Sequence, residues 1–275
     1  MRKPGEWFRY RLGRIPRKLE FTRHRARWLY HDLVNGLRIV WDLRLLGRPL
    51  QGVSRYERRI DSQNGEDGIL EAIFAKIGTT NKYFVEVGSG NASECNTTYL
   101  ARWKGWTGLW MDARHVDPRG RVKREHVTAE NIQALFEHYR VPKQFDLLSI
   151  DIDGNDYWVW RAVVDYLPRV VVIEYNANIP PTQSLTIPYE PAFVWDAATD
   201  YFGASLLALQ RLGHRKGYVL VGCDSSGTNA FFVHQSAAKG RVVPQPAEHA
   251  YRPPACWNGQ GHPREPRRSM IPVEP

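Results

Sequence analysis

The chain has 275 residues, 38 Lys/Arg against 29 Asp/Glu, a formal charge of +9 and 43% hydrophobic residues. That length holds one full α/β domain with appendages and excludes two large domains. No run of eighteen or more apolar residues occurs, which argues against a membrane-spanning helix. The basic start MRKPGEWFRYRLGRIPRK lacks the apolar core and cleavage site of a secretory signal.

The charge is concentrated at one end. Residues 1–50 carry 13 Lys/Arg against 4 Asp/Glu, whereas residues 51–275 carry 25 of each. A neutral body argues against a nucleic-acid enzyme, whose basic stripe should surround its site. Cys95, Cys223 and Cys256 are odd in number and lack metal spacing. They read as reduced thiols, so the expected location is the cytoplasm.

Residues 1–50 form a basic arm. Its first part mixes arginine with Trp7, Phe8 and Tyr10; from Trp28 to Leu46 the apolar spacing predicts an amphipathic helix. Such a helix can pack on its own domain, or touch an anionic membrane at the inner surface or a protein partner.

Residues 51–240 read as the main domain. A helix is predicted over NGEDGILEAIFAKIG, with Asn64 as N-cap and Gly78 closing it. Strand YFVEV (83–87) follows, then a helix over NTTYLARWKG, strand TGLWMD (107–112) and a short strand within 121–128. AENIQALFEHYR is predicted helical, FDLLSID (145–151) and RVVVIEY (169–175) are strands, and YWVWRAVVDYL is the helix between them. A Pro-rich loop leads to a helix over 195–212, then GYVLVGC and NAFFVHQ joined by the turn DSSGT. This alternation predicts a Rossmann-like α/β fold: seven strands, mostly parallel with an antiparallel edge strand, and helices on both faces. Residues 241–275 hold 8 of the 18 prolines from position 244 onward and read as an irregular tail.

In such a sheet ligands sit beyond the carboxyl ends of the strands, and polar residues collect there: Glu86 to Asn91, Asp112, Asp151 to Asp156, and Glu174 to Asn176. Glycines after the first strand let a nucleoside ligand approach the backbone, and an acid at the end of the second can accept ribose hydroxyls. That pattern alone does not separate NAD from S-adenosylmethionine, and a plain strand–turn–helix corner is a third reading. Two features favour S-adenosylmethionine. Ser93 replaces the third glycine of G-x-G-x-x-G, and Glu86 suits a cationic amino-acid portion better than a pyrophosphate.

SQNGEDGIL (62–70), YFVEVGSGNASECNTTYLARWKGWTGLWMDA (83–113) and LLSIDIDGNDYWVW (147–160) together resemble FkbM-type methyltransferases, over roughly residues 60–235. The resemblance implies S-adenosylmethionine as donor and methyl transfer to an oxygen, often on a sugar or natural product. It places Glu86, Gly88 and Gly90 along the methionine portion and Asp112 at the ribose, with Ser89 also among the cofactor-binding residues. Gln63 and Glu66 would close over the cofactor. The expected partner is a small-molecule or glycan acceptor, with no nucleic acid. The rivals are a nicotinamide-dependent oxidoreductase and a non-catalytic binding module on the same fold.

The chain departs from the family where Lys-Ile-Asp-x-Glu-Gly is usual: it has Ser149-Ile150-Asp151-Ile152-Asp153-Gly154. Losing that lysine leaves Asp151, Asp153 and Glu174 converging without a cation. Two readings stay open. Asp151 and Glu174 hold Mg²⁺, which lowers an acceptor hydroxyl's pKa, while Asp153 joins them or acts as general base. Alternatively, Asp151 and Asp153 cap the next helix. The loop YNANIPPTQSLTIPYEP (175–191) reads as acceptor-binding. Its Asn178-Ile179-Pro180-Pro181 is not the uninterrupted motif of DNA amino-methylases. Tyr157, Trp158 and Trp160 suit either sugar stacking or the core, and no histidine stands out as a catalyst.

Overall fold

The computed structural model describes residues 47–117, 119–255 and 261–274, together with Val34, Gly36, Leu37, Ile39 and Trp41. The arm before Val34, most of its expected helix, and Cys256 lie outside the described residues. Within the arm, Val34, Gly36, Leu37 and Ile39 are helical. Ile39 is buried in the core that also holds Leu50, Val53 and Ile73, whereas Leu37 and Trp41 are 60% and 62% exposed.

Strands β1 (Tyr83–Val87), β2 (Thr107–Asp112), β3 (Val122–Arg124), β4 (Gln144–Ile150), β5 (Leu167–Glu174), β7 (Tyr218–Cys223) and β8 (Asn229–His234) form one sheet in the order β3-β2-β1-β4-β5-β8-β7. The first five are parallel. β8 runs antiparallel to both neighbours, so the antiparallel strand lies one place in from the edge that β7 occupies. A tight hairpin explains this: the short turn after β7 reverses the chain into the gap beside β5. β4 and β5 are buried along nearly their whole length, as a parallel sheet covered on both faces requires.

Helices α3 (Ile132–His138), α4 (Asp156–Ala162) and α5 (Leu206–Arg215) share one core with Val85, Leu148 and Val171. Helices α1 (Glu66–Ile77) and α2 (Thr98–Trp103) share the other with Phe84, Leu147 and Val172. Neighbouring strand residues point to opposite faces, so both cores draw on the same strands. Tyr157 and Trp160 belong to the first core; Trp158 is half-buried and donates its indole N–H to the Ile187 carbonyl at 2.9 Å.

Two local expectations are corrected. The N-cap of α1 is Gly65, in the left-handed region at φ 98°, without a side-chain cap. Asn64 instead donates its amide to Glu66 Oε1 at 3.1 Å. The helix expected over 195–212 begins only at Leu206, where the Ser205 hydroxyl accepts the Ala208 N–H. Upstream, Asn176 Nδ2 binds the carbonyls of Asp200 and Phe202 at 2.7 and 2.9 Å, which holds that stretch out of a helix.

The Pro-rich tail is stitched to the domain. Helix α6 (Ala247–Ala250) packs into the first core, and β9 (Ile271–Pro272) pairs with β6 (Leu185–Thr186). Tyr175 Oη donates to the Arg252 carbonyl at 2.8 Å. Among the described residues, no helix is long and apolar enough to cross a membrane.

Candidate functional site

β2 leaves β1 on one side and β4 returns on the other, so the strand order reverses between β1 and β4. The crevice at their carboxyl ends is where an open α/β sheet binds ligands. Gly88 makes that junction possible: a Cβ there would stand 1.6 Å from the Asp151 carbonyl oxygen, and φ is 84°. The first glycine thus serves strand packing as well as lining the crevice where a ligand contact is expected of it. Gly90 is the open one, at φ 54° with nothing within 4 Å of a Cβ position.

Two cavities meet over this crevice, sharing Gly88, Gly90, His115 and Asp151. One, of about 340 Å³, is lined among others by Gln63, Glu66, Glu86, Ser89 and Asn96. The other, of about 460 Å³, is lined by Asp112, Val127, Ile152 and Asp153. Both volumes fall within the range of small-molecule sites. All seven expected cofactor residues are therefore brought together.

At one end, the Glu86 carboxylate closes the start of α2. It accepts the N–H groups of Asn96 and Thr97 at 2.9 and 3.1 Å, and the Thr97 hydroxyl. Burial pushes its carboxyl above the usual range, against the pull of these bonds. Glu66 is buried beside it and accepts Asn64 N–H at 2.8 Å and Asn229 Nδ2 at 2.9 Å. Asp67 ties down the loop before α1 by accepting the N–H groups of Ile60, Asp61 and Ser62.

At the other end, Asp112 accepts Gly90 N–H at 2.8 Å through Oδ2, and Arg114 and His115 N–H through Oδ1. Desolvation pulls its carboxyl up, but these bonds outweigh it and leave it below the ordinary value. His115, which the sequence did not single out, sets Nδ1 3.0 Å from Asp112 Oδ1 and faces both cavities.

Asp151, Asp153 and Glu174 converge, with one carboxylate oxygen from each lying within 4.8 Å of the others. Desolvation, then the charges of neighbouring acids, raises both Asp151 and Glu174 well above the carboxylate range. Glu174 is only 9% exposed, and its Oε2 has no hydrogen-bond partner among the described residues. In place of the capping considered for Asp151 and Asp153, α4 has Asn155 as its N-cap without a side-chain cap, and the Asp156 carboxylate ties down the preceding turn by accepting the N–H groups of Ile152 and Gly154, both at 2.9 Å. Asp153 sits at φ 54°, a left-handed conformation that a non-glycine residue adopts uncommonly.

Compared with known proteins, the chain matches no family model and no curated protein.

Proposed function

We propose that this protein is an S-adenosylmethionine-dependent methyltransferase of the FkbM type, acting on a hydroxyl of a sugar, glycan or small polar metabolite. One observation carries the choice of cofactor. In dinucleotide-binding sheets the pyrophosphate rests on the N–H groups that open the first helix. Here the Glu86 carboxylate already takes those donors from Asn96 and Thr97. A buried acid at that position repels a diphosphate and attracts an ammonium group, which disfavours a nicotinamide cofactor.

The residues fit the proposed cofactor. Glu66 and Glu86 lend negative potential to the end where its amino group would lie. Gly90 leaves space against the backbone, and Asp112, held ionised, accepts ribose hydroxyls. When bound, S-adenosylmethionine supplies an electrophilic methyl group to the acceptor oxygen. The protein must then take the hydroxyl proton. Asp151, Asp153 and Glu174, which converge at the crevice, are the carboxylates that would accept it. The three acids also form an all-oxygen donor set with one unpartnered buried oxygen, which suits Mg²⁺. Asp151, Asp153 and Glu174 would hold that ion, and its charge would acidify the acceptor hydroxyl.

Calorimetric titration with S-adenosylmethionine, S-adenosylhomocysteine and NAD tests the reading, with Asp112→Ala as control. Micromolar binding of the first two, lost in the variant, is the expected result. Binding of NAD instead, or of none of the three, overturns it.

A further inference from the structure

We propose that the helix of the N-terminal arm is a docking element for an anionic lipid surface, inserting Val34, Leu37 and Trp41 at the boundary between headgroups and acyl chains. On a helix of about 100° per residue, positions 34, 37 and 41 share one face and position 39 lies roughly 160° away. Exposure follows that geometry. Ile39 is 4% exposed, whereas Val34, Leu37 and Trp41 are 40%, 60% and 62% exposed. The helix therefore carries an inward apolar position and an outward apolar row. Packing on its own domain uses only the Ile39 side, within the core that holds Leu50, Val53 and Ile73.

A helix that merely covers its own domain turns polar residues outward. Single exposed apolar residues are ordinary on a protein surface, but a row of three large ones marks an interaction site. None of the three lines either crevice cavity. The surface and the cofactor site are thus separate, and the proposal does not rest on the methyl-transfer reading.

Charge selects the occupant. Residues 1–27, which precede the helix in the chain, carry 10 Lys/Arg against 2 Asp/Glu, whereas residues 51–275 carry 25 of each. The net positive charge is concentrated next to the outward row in sequence. An anionic bilayer satisfies both features at once, because basic side chains meet lipid phosphates while apolar side chains enter the boundary. Tryptophan favours that depth, since its ring is apolar and its indole N–H polar. A nucleic acid would match the charge and leave the apolar row in water. A stable protein interface buries about 800 Å² per partner, far more than three side chains in one row present. The contact is peripheral and involves no membrane span.

Sedimentation of the full chain with lipid vesicles tests this, using phosphatidylcholine alone and phosphatidylcholine with about one third phosphatidylglycerol. The expected result is binding to the anionic vesicles and little to the neutral ones, weakened as salt rises from about 0.05 to 0.5 M. Leu37→Ser combined with Trp41→Ser leaves the charge unaltered. It should lower the anionic partition coefficient about tenfold or more, with circular dichroism and calorimetric S-adenosylhomocysteine affinity as in the native chain. Trp41→Phe should retain binding, as should Val164→Ser, which removes a 72% exposed apolar residue outside the arm. Absence of binding to anionic vesicles overturns the proposal, as does equal binding to neutral ones or native binding by the double serine variant. An oligomer that dissociates in the double variant, without vesicle binding, would assign the row to a second copy of the chain and overturn it too.

Discussion

Gly88 and Asp151 approach so closely that the carbonyl oxygen of Asp151 occupies the space a Gly88 side chain would need. The contact locks the end of β1 to the end of β4, and Asp151 N–H returns a hydrogen bond to the Val87 carbonyl at 3.0 Å. Gly88→Ala must move backbone and also bear a strained positive φ, so it should cost about 3 kcal/mol or more. Gly90→Ala meets no atoms and bears only the left-handed penalty, about 1–2 kcal/mol. Urea unfolding of the two variants should therefore differ clearly. Only Gly90→Ala should yield a well-folded protein with weakened S-adenosylhomocysteine binding.

Glu86→Gln should destabilise the fold as well as the site. The amide would present an NH₂ to the N–H group of either Asn96 or Thr97, which now bond different carboxylate oxygens, leaving one of them buried and unmet. The expected loss is about 1–3 kcal/mol for each donor stranded. Chemical denaturation measures it, and an unchanged midpoint would show that Glu86 does not hold the start of α2.

Asp156 gives a pH test with a definite sign. Desolvation raises its carboxyl from 3.8 to about 6, against the pull of the Ile152 and Gly154 N–H groups. A raised folded-state value means that the protonated acid favours folding below pH 4, and that this contribution disappears as pH climbs through 6. Relative to Asp156→Asn, the native chain should therefore be more stable at pH 4 than at pH 7, by about 2 kcal/mol, since part of the two-unit shift falls below pH 4. Denaturation of both proteins at the two pH values reads the difference. A gap that widens in favour of the native chain as pH rises would reverse the assignment.

Removing divalent ions should abolish methyl transfer if Asp151, Asp153 and Glu174 act through Mg²⁺, and adding Mg²⁺ should restore it. Full activity after thorough chelation would leave the three acids as a proton-accepting cluster without a metal.

Asn178→Ala removes the oxygen that accepts the His262 N–H and leaves Asn176 as the loop's remaining bracket. The tail should then be cut by trypsin at Arg264, Arg267 or Arg268 several times faster than in the native chain, while S-adenosylhomocysteine affinity holds. Equal cleavage rates would show that the tail is secured elsewhere.

Periodicity and strand-end chemistry alone determined the Rossmann-like sheet and the residues that gather at its crevice, because each signal is local. An apolar run such as RVVVIE is buried on both faces wherever it pairs, and Asp112 ends its strand whatever surrounds it. Roles that depend on residues distant in the chain were decided only by the tertiary structure. Glu86 turned out to close a helix start ten residues on, and Gly88 to accommodate β4 as well as line the crevice. Asp156 ties down the turn before α4, and that helix starts without the side-chain cap considered for Asp151 and Asp153. The tail, proline-rich and without period, carried no sequence sign of its place beside Glu174. Its position depends on backbone hydrogen bonds to Asn178, Tyr175 and Asp200, which no local pattern encodes.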